Sequence, residues 1–492
     1  MGLDRGFLEF DRIEPKHEPV EVRLKHFREF ISTLTDEEVY RQSARCMDCG
    51  IPFCSHSCPL HNQMPDYNQY VTEGDLDRAW EVLNSTHSFP EITGRICPGL
   101  CEEGCTLGIH RKAVGIKSIE KKLAEHAFAH GLVQPVIAKQ KTGCRVAVVG
   151  SGPSGLAAAQ QLCRAGHTVT VYEKMDKAGG LLRYGIPDFK LCKEVLDRRL
   201  DQLLREGVHF VLSTRITGEG DLENGVHDDS VRQIPISRLT AENDAVVLAL
   251  GSEVPRDLPL PGRELPGIYF ALDFLIAQNR ANAGGVANPI DVKGKNVIVI
   301  GGGETASDCI GTANRLGAKS VTQLDYHHEL PEVADLMREW PNWRRIKRTS
   351  TSQEEGCVRC FSTSTTAFEG DGRLERVKTV KVKWGPNRKI TPVKGTEQEF
   401  PADVVLIAMG YAHPTHTLVK TLGLATDRRG SLTTEVEGPA AWRTAREGVF
   451  AAGDGRSGQS LVVNAISEGR RCAEAVNAWL VQKRSCAAPL WR

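Results

Sequence analysis

Beyond about residue 140 the chain repeats one pattern: a short apolar run, a glycine-rich turn, then a longer stretch with helical spacing. Cys144–Val149 is the first run, followed by Gly150-Ser151-Gly152-Pro153-Ser154-Gly155, a helix to about Gly166 and a strand at Thr168–Tyr172. Asn296–Ile300 opens a second unit, with Gly301-Gly302-Gly303-Glu304-Thr305-Ala306, a helix to about Gly317 and a strand at Lys319–Leu324. Apolar runs of this length between glycines predict strands buried on both faces, and their alternation with helices predicts parallel pairing. Two further runs, Ala245–Leu250 and Asp403–Met409, end at Gly251 and Gly410. A last strand, Gly448–Ala452, leads through Gly453-Asp454 into a helix from about Ser460 to Leu480. The simplest reading is one Rossmann-like dinucleotide-binding domain interrupted by a second, with the chain returning to finish the first.

The first 140 residues carry no strand-like run. Asp36–Arg45 is helical in composition, with Thr35 or Asp36 as its N-cap, and Asp75–Leu83 and Ile116–Phe128 have amphipathic spacing. The expected architecture is α/β: a helical N-terminal domain over 1–140, a first dinucleotide domain over 141–275 and 411–492, and a second inserted over 276–410.

Composition narrows the function classes. Lys+Arg and Asp+Glu are balanced at 62 each in 492 residues, so no overall field draws the chain to nucleic acid or to an anionic membrane. The longest apolar runs, such as Val404–Met409, are far below membrane-spanning length. No secretory apolar region follows the N-terminus, and the expected address is cytoplasmic.

Seven of the fifteen cysteines fall between Cys46 and Cys105, as Cys46-x2-Cys49-x4-Cys54-x3-Cys58-Pro59 and Cys97-Pro98-x2-Cys101-x3-Cys105. Such clustering without a secretory signal points to metal ligation rather than disulfides. Thiolates at these spacings hold iron–sulfur clusters, and seven is one short of the eight that two cubanes need. Structural zinc also uses Cys-x2-Cys pairs, with His56, His61 or His110 to complete a second site. Cys357-x2-Cys360 is one isolated pair and cannot close a site.

The glycines supply the second chemistry. Gly150 permits a tight turn, Gly152 allows backbone to approach a pyrophosphate, and Gly155 allows close helix–strand packing. Glu173 ends the second strand, where a carboxylate accepts ribose hydroxyls. In the second unit Asp325 holds that place, followed by Tyr326-His327-His328. An acid there favours a free 2′-hydroxyl, hence NADH; His327, His328 or Arg344-Arg345 could instead meet the 2′-phosphate of NADPH. Gly453-Asp454 can bring a carboxylate to the ribityl chain of a flavin. Hydride transfer between two such cofactors needs positioning more than an acid or a base, so no catalytic side chain is named.

With these residues in view, the chain resembles the small (beta) subunit family of bacterial-type glutamate synthases. The resemblance rests on Gly6–Phe10, Ala44–Cys54, Gly94–Pro98, Gly179–Lys190, Gly301–Thr305 and Gly458–Val463. The N-terminal two-thirds also look like the corresponding domains of dihydropyrimidine dehydrogenase. The resemblance implies FAD on the Gly150 fingerprint, NADPH on the Gly301 fingerprint with NADH possible, and two 4Fe–4S clusters. It assigns Cys46, Cys49, Cys54 and Cys105 to one cluster and Cys58, Cys97 and Cys101 to the other, with Glu120 as the eighth ligand. It further implies cofactor contacts from Pro153, Ser154, Lys174, Gly180, Leu181, Lys190, Gly251, Gly302, Glu304, Thr305, Gly410, Gln459, Ser460 and Leu461. The implied partner is a large (alpha) subunit with FMN and a glutamine amidotransferase site, making L-glutamate from glutamine and 2-oxoglutarate. Two alternatives stand beside it. One is a homologous reductase serving ferredoxin or another dehydrogenase; the other is a zinc-stapled adaptor whose dinucleotide folds only bind.

Overall fold

Capping side chains start two of the longer helices of the N-terminal region. The Thr35 hydroxyl accepts from the Glu38 N–H (3.2 Å) while Glu38 accepts from the Thr35 N–H (2.9 Å), and this reciprocal box starts Asp36–Ser43. Asp75 accepts from the Arg78 N–H and starts Leu76–Thr86. Helix Ile116–Ala129 buries Glu120 and Lys121 along with its apolar face. Gly94 lets helix Pro90–Ile96 lie against it, since a Cβ there would sit 2.8 Å from Lys121 Cα. The computed structural model describes residues 5–218, 231–435, 437–438 and 440–485. Among these, residues before 140 form helices and loops with no strand.

Two five-stranded parallel sheets follow. The first has the order Val449–Ala451, Ala245–Leu248, Arg145–Val149, Thr168–Tyr172, His209–Val211. The second has the order Val358–Cys360, Ser320–Leu324, Asn296–Ile300, Val404–Ile407, Ile268–Phe270. In each, the fingerprint strand sits at the centre with every residue after its first buried, the burial that its unbroken apolar run requires. Ile268–Phe270 precedes the expected boundary at residue 276, yet it pairs with Val404–Ile407. The second sheet thus takes its edge strand from the segment expected to close the first domain.

The chain crosses between the sheets twice, side by side. The Val254 N–H donates to His413 O (3.1 Å) and the Ala412 N–H to Val254 O (2.8 Å), an antiparallel ribbon. After the return, Val449–Ala451 pairs with Ala245–Leu248, and helix Val462–Ser485 packs on helix Pro153–Arg164. Gly469 makes that crossing possible: a Cβ there would lie 2.1 Å from Ser154 O. A four-stranded antiparallel sheet (Thr363–Glu369, Arg376–Trp384, Ile390–Pro392, Gln398–Pro401) is inserted before the last strand of the second domain. The periodicity did not predict it, because its strands are half-exposed and rich in Thr, Lys and Arg.

One apolar core runs from the helices of the N-terminal domain (Met64, Ile92, Leu123) into the first sheet (Val146) and the helix packed on it (Leu162). No helix among the described residues is long and apolar enough to cross a membrane.

Candidate functional site

The seven cysteines fall into two groups. Cys46, Cys49, Cys54 and Cys105 line one recess together with Met47, Phe53, Met64 and Asn68. Cys58, Cys97 and Cys101 form the other, and each has its thiol raised by the nearby charge of Glu120 as well as by burial. Three of the first group, Cys46, Cys49 and Cys54, are partly exposed and Cys105 is buried, whereas in the second Cys58 and Cys101 are buried and Cys97 partly exposed; the first is called the outer group and the second the inner. The loop after Cys58 touches the first dinucleotide domain, where the Ser467 hydroxyl donates to Pro59 O (2.8 Å).

Glu120 lies within its helix at 6% exposure. Its Oε1 accepts from Asn62 Nδ2 (2.8 Å) and from the Tyr67 hydroxyl (3.2 Å). Burial pushes the carboxyl up to about 7, against the pull of these two donors.

The electrostatics fit a cationic centre. Burial raises Cys46 to about 11 and both Cys54 and Cys58 to about 12, so each would be a neutral thiol alone. Backbone N–H groups nonetheless point at the sulfurs: those of Val114, Leu107 and Gly108 at Cys105, and those of Asn62 and Leu60 at Cys58. Asn68 adds a side-chain donor at Cys46. Donors arranged around buried sulfurs are what a thiolate bound to iron needs. Among the described residues no three His, Cys, Asp or Glu side chains converge on a single-ion position. Four thiols around a recess, rather than around a point, suit a polyatomic centre better than one zinc ion.

The first fingerprint has the geometry that a pyrophosphate needs. Gly150 has φ +103°, a conformation natural to glycine, and a Cβ on Gly155 would lie 2.0 Å from Gly150 O. A Cβ on Gly152 or on Gly251 would meet nothing within 4 Å, so these backbones face open space. Pro153 and Ser154 begin the helix, whose free N–H groups favour an anion. Glu173 is buried: one oxygen accepts from the Ser151 N–H (3.0 Å) and hydroxyl (2.5 Å), the other from the Met175 N–H (2.9 Å). Gly180 crosses close over Gly152, and Leu181 beyond it is 46% exposed. Lys174 pairs with Glu253.

From the C-terminal segment, Gly453 (φ +81°) brings Asp454 to the start of a short helix beside Ser154. Asp454 accepts from the Ser460 hydroxyl (3.2 Å), and burial raises its carboxyl to about 6. Gln459 Oε1 accepts from the Tyr411 N–H (2.6 Å), beside Gly410 on the returning connection. Leu461 packs partly buried against the main core.

In the second fingerprint Gly301 has φ +138° and Gly303 faces open space. Glu304 and Thr305 form the first turn of helix Glu304–Arg315. A Cβ on Gly302 would overlap Asp325 Oδ2, so the Asp325 carboxylate lies directly against this turn. Its Oδ1 accepts from the His327 N–H (2.9 Å) and faces the His327 ring (2.8 Å). Lys190 reaches across from the first domain: its Nζ lies 2.7 Å from Asp308, 3.3 Å from Glu304 and 3.2 Å from Ser307. It therefore ties the Gly179–Lys190 segment to the second fingerprint helix. Arg344 is committed elsewhere, to Glu103 at 2.6 Å.

Asn62, Tyr67 and Asn68 were invisible to sequence reasoning, because buried polar side chains within helices and loops carry no periodic signal. Ser151 was legible only as an unspecified position inside the glycine motif.

Comparison with known proteins agrees with this geometry. The family model for pyridine nucleotide-disulphide oxidoreductases matches residues 144–469, and that for dihydropyrimidine dehydrogenase domain II, 4Fe-4S cluster, matches residues 23–132. The NADPH glutamate synthase small chain of Mycobacterium tuberculosis is 44% identical, over 100% of this chain and 98% of its own. The NADH glutamate synthase of Schizosaccharomyces pombe is 39% identical over 96% of this chain, which corresponds to 22% of that much longer protein. Among solved structures, M. tuberculosis FprA in complex with NADPH superposes with a TM-score of 0.52 at 18% identity, covering 71% of this chain and 87% of its own. Two thiol groups, two fingerprints and end-to-end similarity lead to one assignment: the chain belongs to the glutamate synthase small-chain family.

Proposed function

We propose that this chain is the nicotinamide-oxidising subunit of a glutamate synthase, delivering electrons to a large amidotransferase subunit that forms L-glutamate from glutamine and 2-oxoglutarate. FAD belongs on the Gly150 side, with Glu173 toward its ribose and Asp454 toward its ribityl chain. NADPH belongs on the Gly301 side, and two 4Fe–4S clusters on the two cysteine groups, with Glu120 as the eighth ligand. When bound, the flavin takes hydride from the nicotinamide and the clusters carry single electrons onward. The chain's own residues position these groups. Gly152 and Gly303 leave backbone room for the pyrophosphates, and Lys190 fixes the second fingerprint helix against the flavin-side loop.

The observation that carries this reading is the division of eight side chains into an outer group of four cysteines and an inner group of three cysteines with Glu120. The name of the M. tuberculosis relative supports NADPH, and that of the fission-yeast relative supports NADH. The same names support a large partner chain, since the fission-yeast protein carries its extra length on one polypeptide.

Anaerobic purification tests the proposal. Two cubanes require about eight irons and eight acid-labile sulfides per chain, with one flavin beside them. The isolated chain should reduce an artificial acceptor with NADPH, and form glutamate only once the large subunit is added. A colourless protein holding zinc, or glutaminase activity in the isolated chain, would overturn it.

A further inference from the structure

We propose that Asn62 and Tyr67 are positioning residues that hold Glu120 by one carboxylate oxygen, leave the other to ligate iron, and thereby set the potential of the inner cluster. The inference rests on the reading of Glu120 as the eighth ligand.

Two observations carry it. First, both donors reach the same atom. Asn62 Nδ2 and the Tyr67 hydroxyl both donate to Oε1, from different elements: Asn62 from the loop that follows Cys58, Tyr67 from helix Met64–Thr72. The terminal torsion of a glutamate is broad and roughly two-fold, so an unrestrained carboxylate would wander between binding modes. Two converging donors remove that freedom. Second, the donors are themselves held. The Thr86 hydroxyl donates to Asn62 Oδ1 (2.9 Å), which turns the amide nitrogen toward Glu120. Asn62 and Tyr67 are 1% and 0% exposed, so water does not compete.

Partners of this kind orient metal ligands and tune the metal. Donating to a ligand oxygen draws electron density from the iron and favours the reduced form. Removing the donor should move the inner cluster to a more negative potential and leave the outer cluster, held by Cys46, Cys49, Cys54 and Cys105, where it was.

The test is redox titration of both clusters, followed by electron paramagnetic resonance, in the intact flavin- and cluster-loaded protein. Tyr67→Phe keeps the ring and removes only the hydroxyl. Thr86→Val removes the far end of the relay from a half-buried position and serves where Tyr67→Phe fails to fold. Glu120→Ala is the reference. The expected result is loss or conversion of the inner cluster in Glu120→Ala, with a negative shift of that cluster alone in Tyr67→Phe and a smaller one in Thr86→Val. Iron and flavin contents should be retained in the last two variants. If Glu120→Ala alters the inner cluster while both other variants leave its potential unmoved, the positioning role is overturned and the ligand reading stands. If Glu120→Ala leaves both clusters unchanged, the ligand reading falls, and this inference falls with it.

Discussion

Arg199 and Glu91 meet side-on, Nε to Oε1 and Nη2 to Oε2 at 2.7 Å each, with side chains 1% and 0% exposed. The pair joins helix Pro90–Ile96 of the cysteine domain to helix Lys193–Glu206 of the first dinucleotide domain. Glu91→Ala leaves a buried guanidinium without its carboxylate, with only Gln202 still accepting from it, and should cost about 3–5 kcal/mol. Replacing both residues with apolar ones of similar volume should recover most of that loss. Chemical denaturation of the two variants against the parent measures it.

Gly152 and Gly155 are separable by alanine substitution. A Cβ on Gly152 meets nothing within 4 Å, and its backbone is extended (φ −65°, ψ 177°), so Gly152→Ala should change the stability of the flavin-free protein by less than about 0.5 kcal/mol. It should nonetheless lose most of its flavin, because the added methyl fills the space reserved for the pyrophosphate. Gly155→Ala drives a Cβ to within 2.0 Å of Gly150 O and should impair folding itself. Flavin content and thermal unfolding, read together, distinguish the two.

His87 makes native stability sensitive to acid. It is buried, with Nδ1 accepting from the Phe89 N–H (3.1 Å), so Nε2 carries the proton toward Thr93 Oγ1 (2.7 Å). Burial, then Arg470 and Arg199, lower it to about 3 from an ordinary 6.5. Above pH 6.5 the ring is neutral whether folded or unfolded, and nothing is lost. As pH falls from there toward 3 the unfolded chain takes up a proton that the native chain refuses. Stability should then drop by up to about 1.4 kcal/mol per pH unit from this residue. His87→Gln should flatten that slope between pH 6.5 and 5, measured by denaturation at each pH.

Asp325 should govern the choice of nicotinamide cofactor. Its carboxylate lies against the Gly302 turn and is held by His327. A negative charge there opposes a 2′-phosphate. Asp325→Ser should raise kcat/KM for NADPH relative to NADH by roughly tenfold, equivalent to about 1.4 kcal/mol. His327→Ala should shift the ratio the other way, by removing the group that partners the carboxylate. Steady-state kinetics with both cofactors and one artificial acceptor decide the direction.

What the sequence made legible was whatever repeats or clusters. Thr168–Tyr172 and Asn296–Ile300 matched to the residue, the first on its alternation of Thr and Val, the second on an apolar run closed by Gly301. The N-cap of Asp36–Ser43 was readable only as Thr35 or Asp36; the structure selects Thr35, whose reciprocal bonds with Glu38 complete a capping box. Ile268–Phe270 was missed because three residues carry no period, and their place is decided by pairing with Val404–Ile407 far along the chain. Lys190 was read from its motif as a cofactor contact, whereas the structure shows its bonds to Asp308, Glu304 and Ser307. Spacing along a chain cannot report which carboxylate on another domain a lysine will meet.

The interrupted first sheet also imposes an order in time. Ala245–Leu248 must wait for its neighbour Val449–Ala451, and the face of helix Pro153–Arg164 waits for Val462–Ser485. Synthesis proceeds from the N-terminus, and domains fold as they emerge. The cysteine helices and the inserted sheet can therefore mature on the ribosome. The Gly150 turn, however, gains Gly453, Asp454 and Gly469 only once synthesis has passed residue 469. A message truncated between Met409 and Val449 yields a polypeptide with the cysteine helices and the whole second sheet but without the segment that completes the first. Quality control by flavin capture would thus report on whether the segment from Val449 to Gly469 has been made.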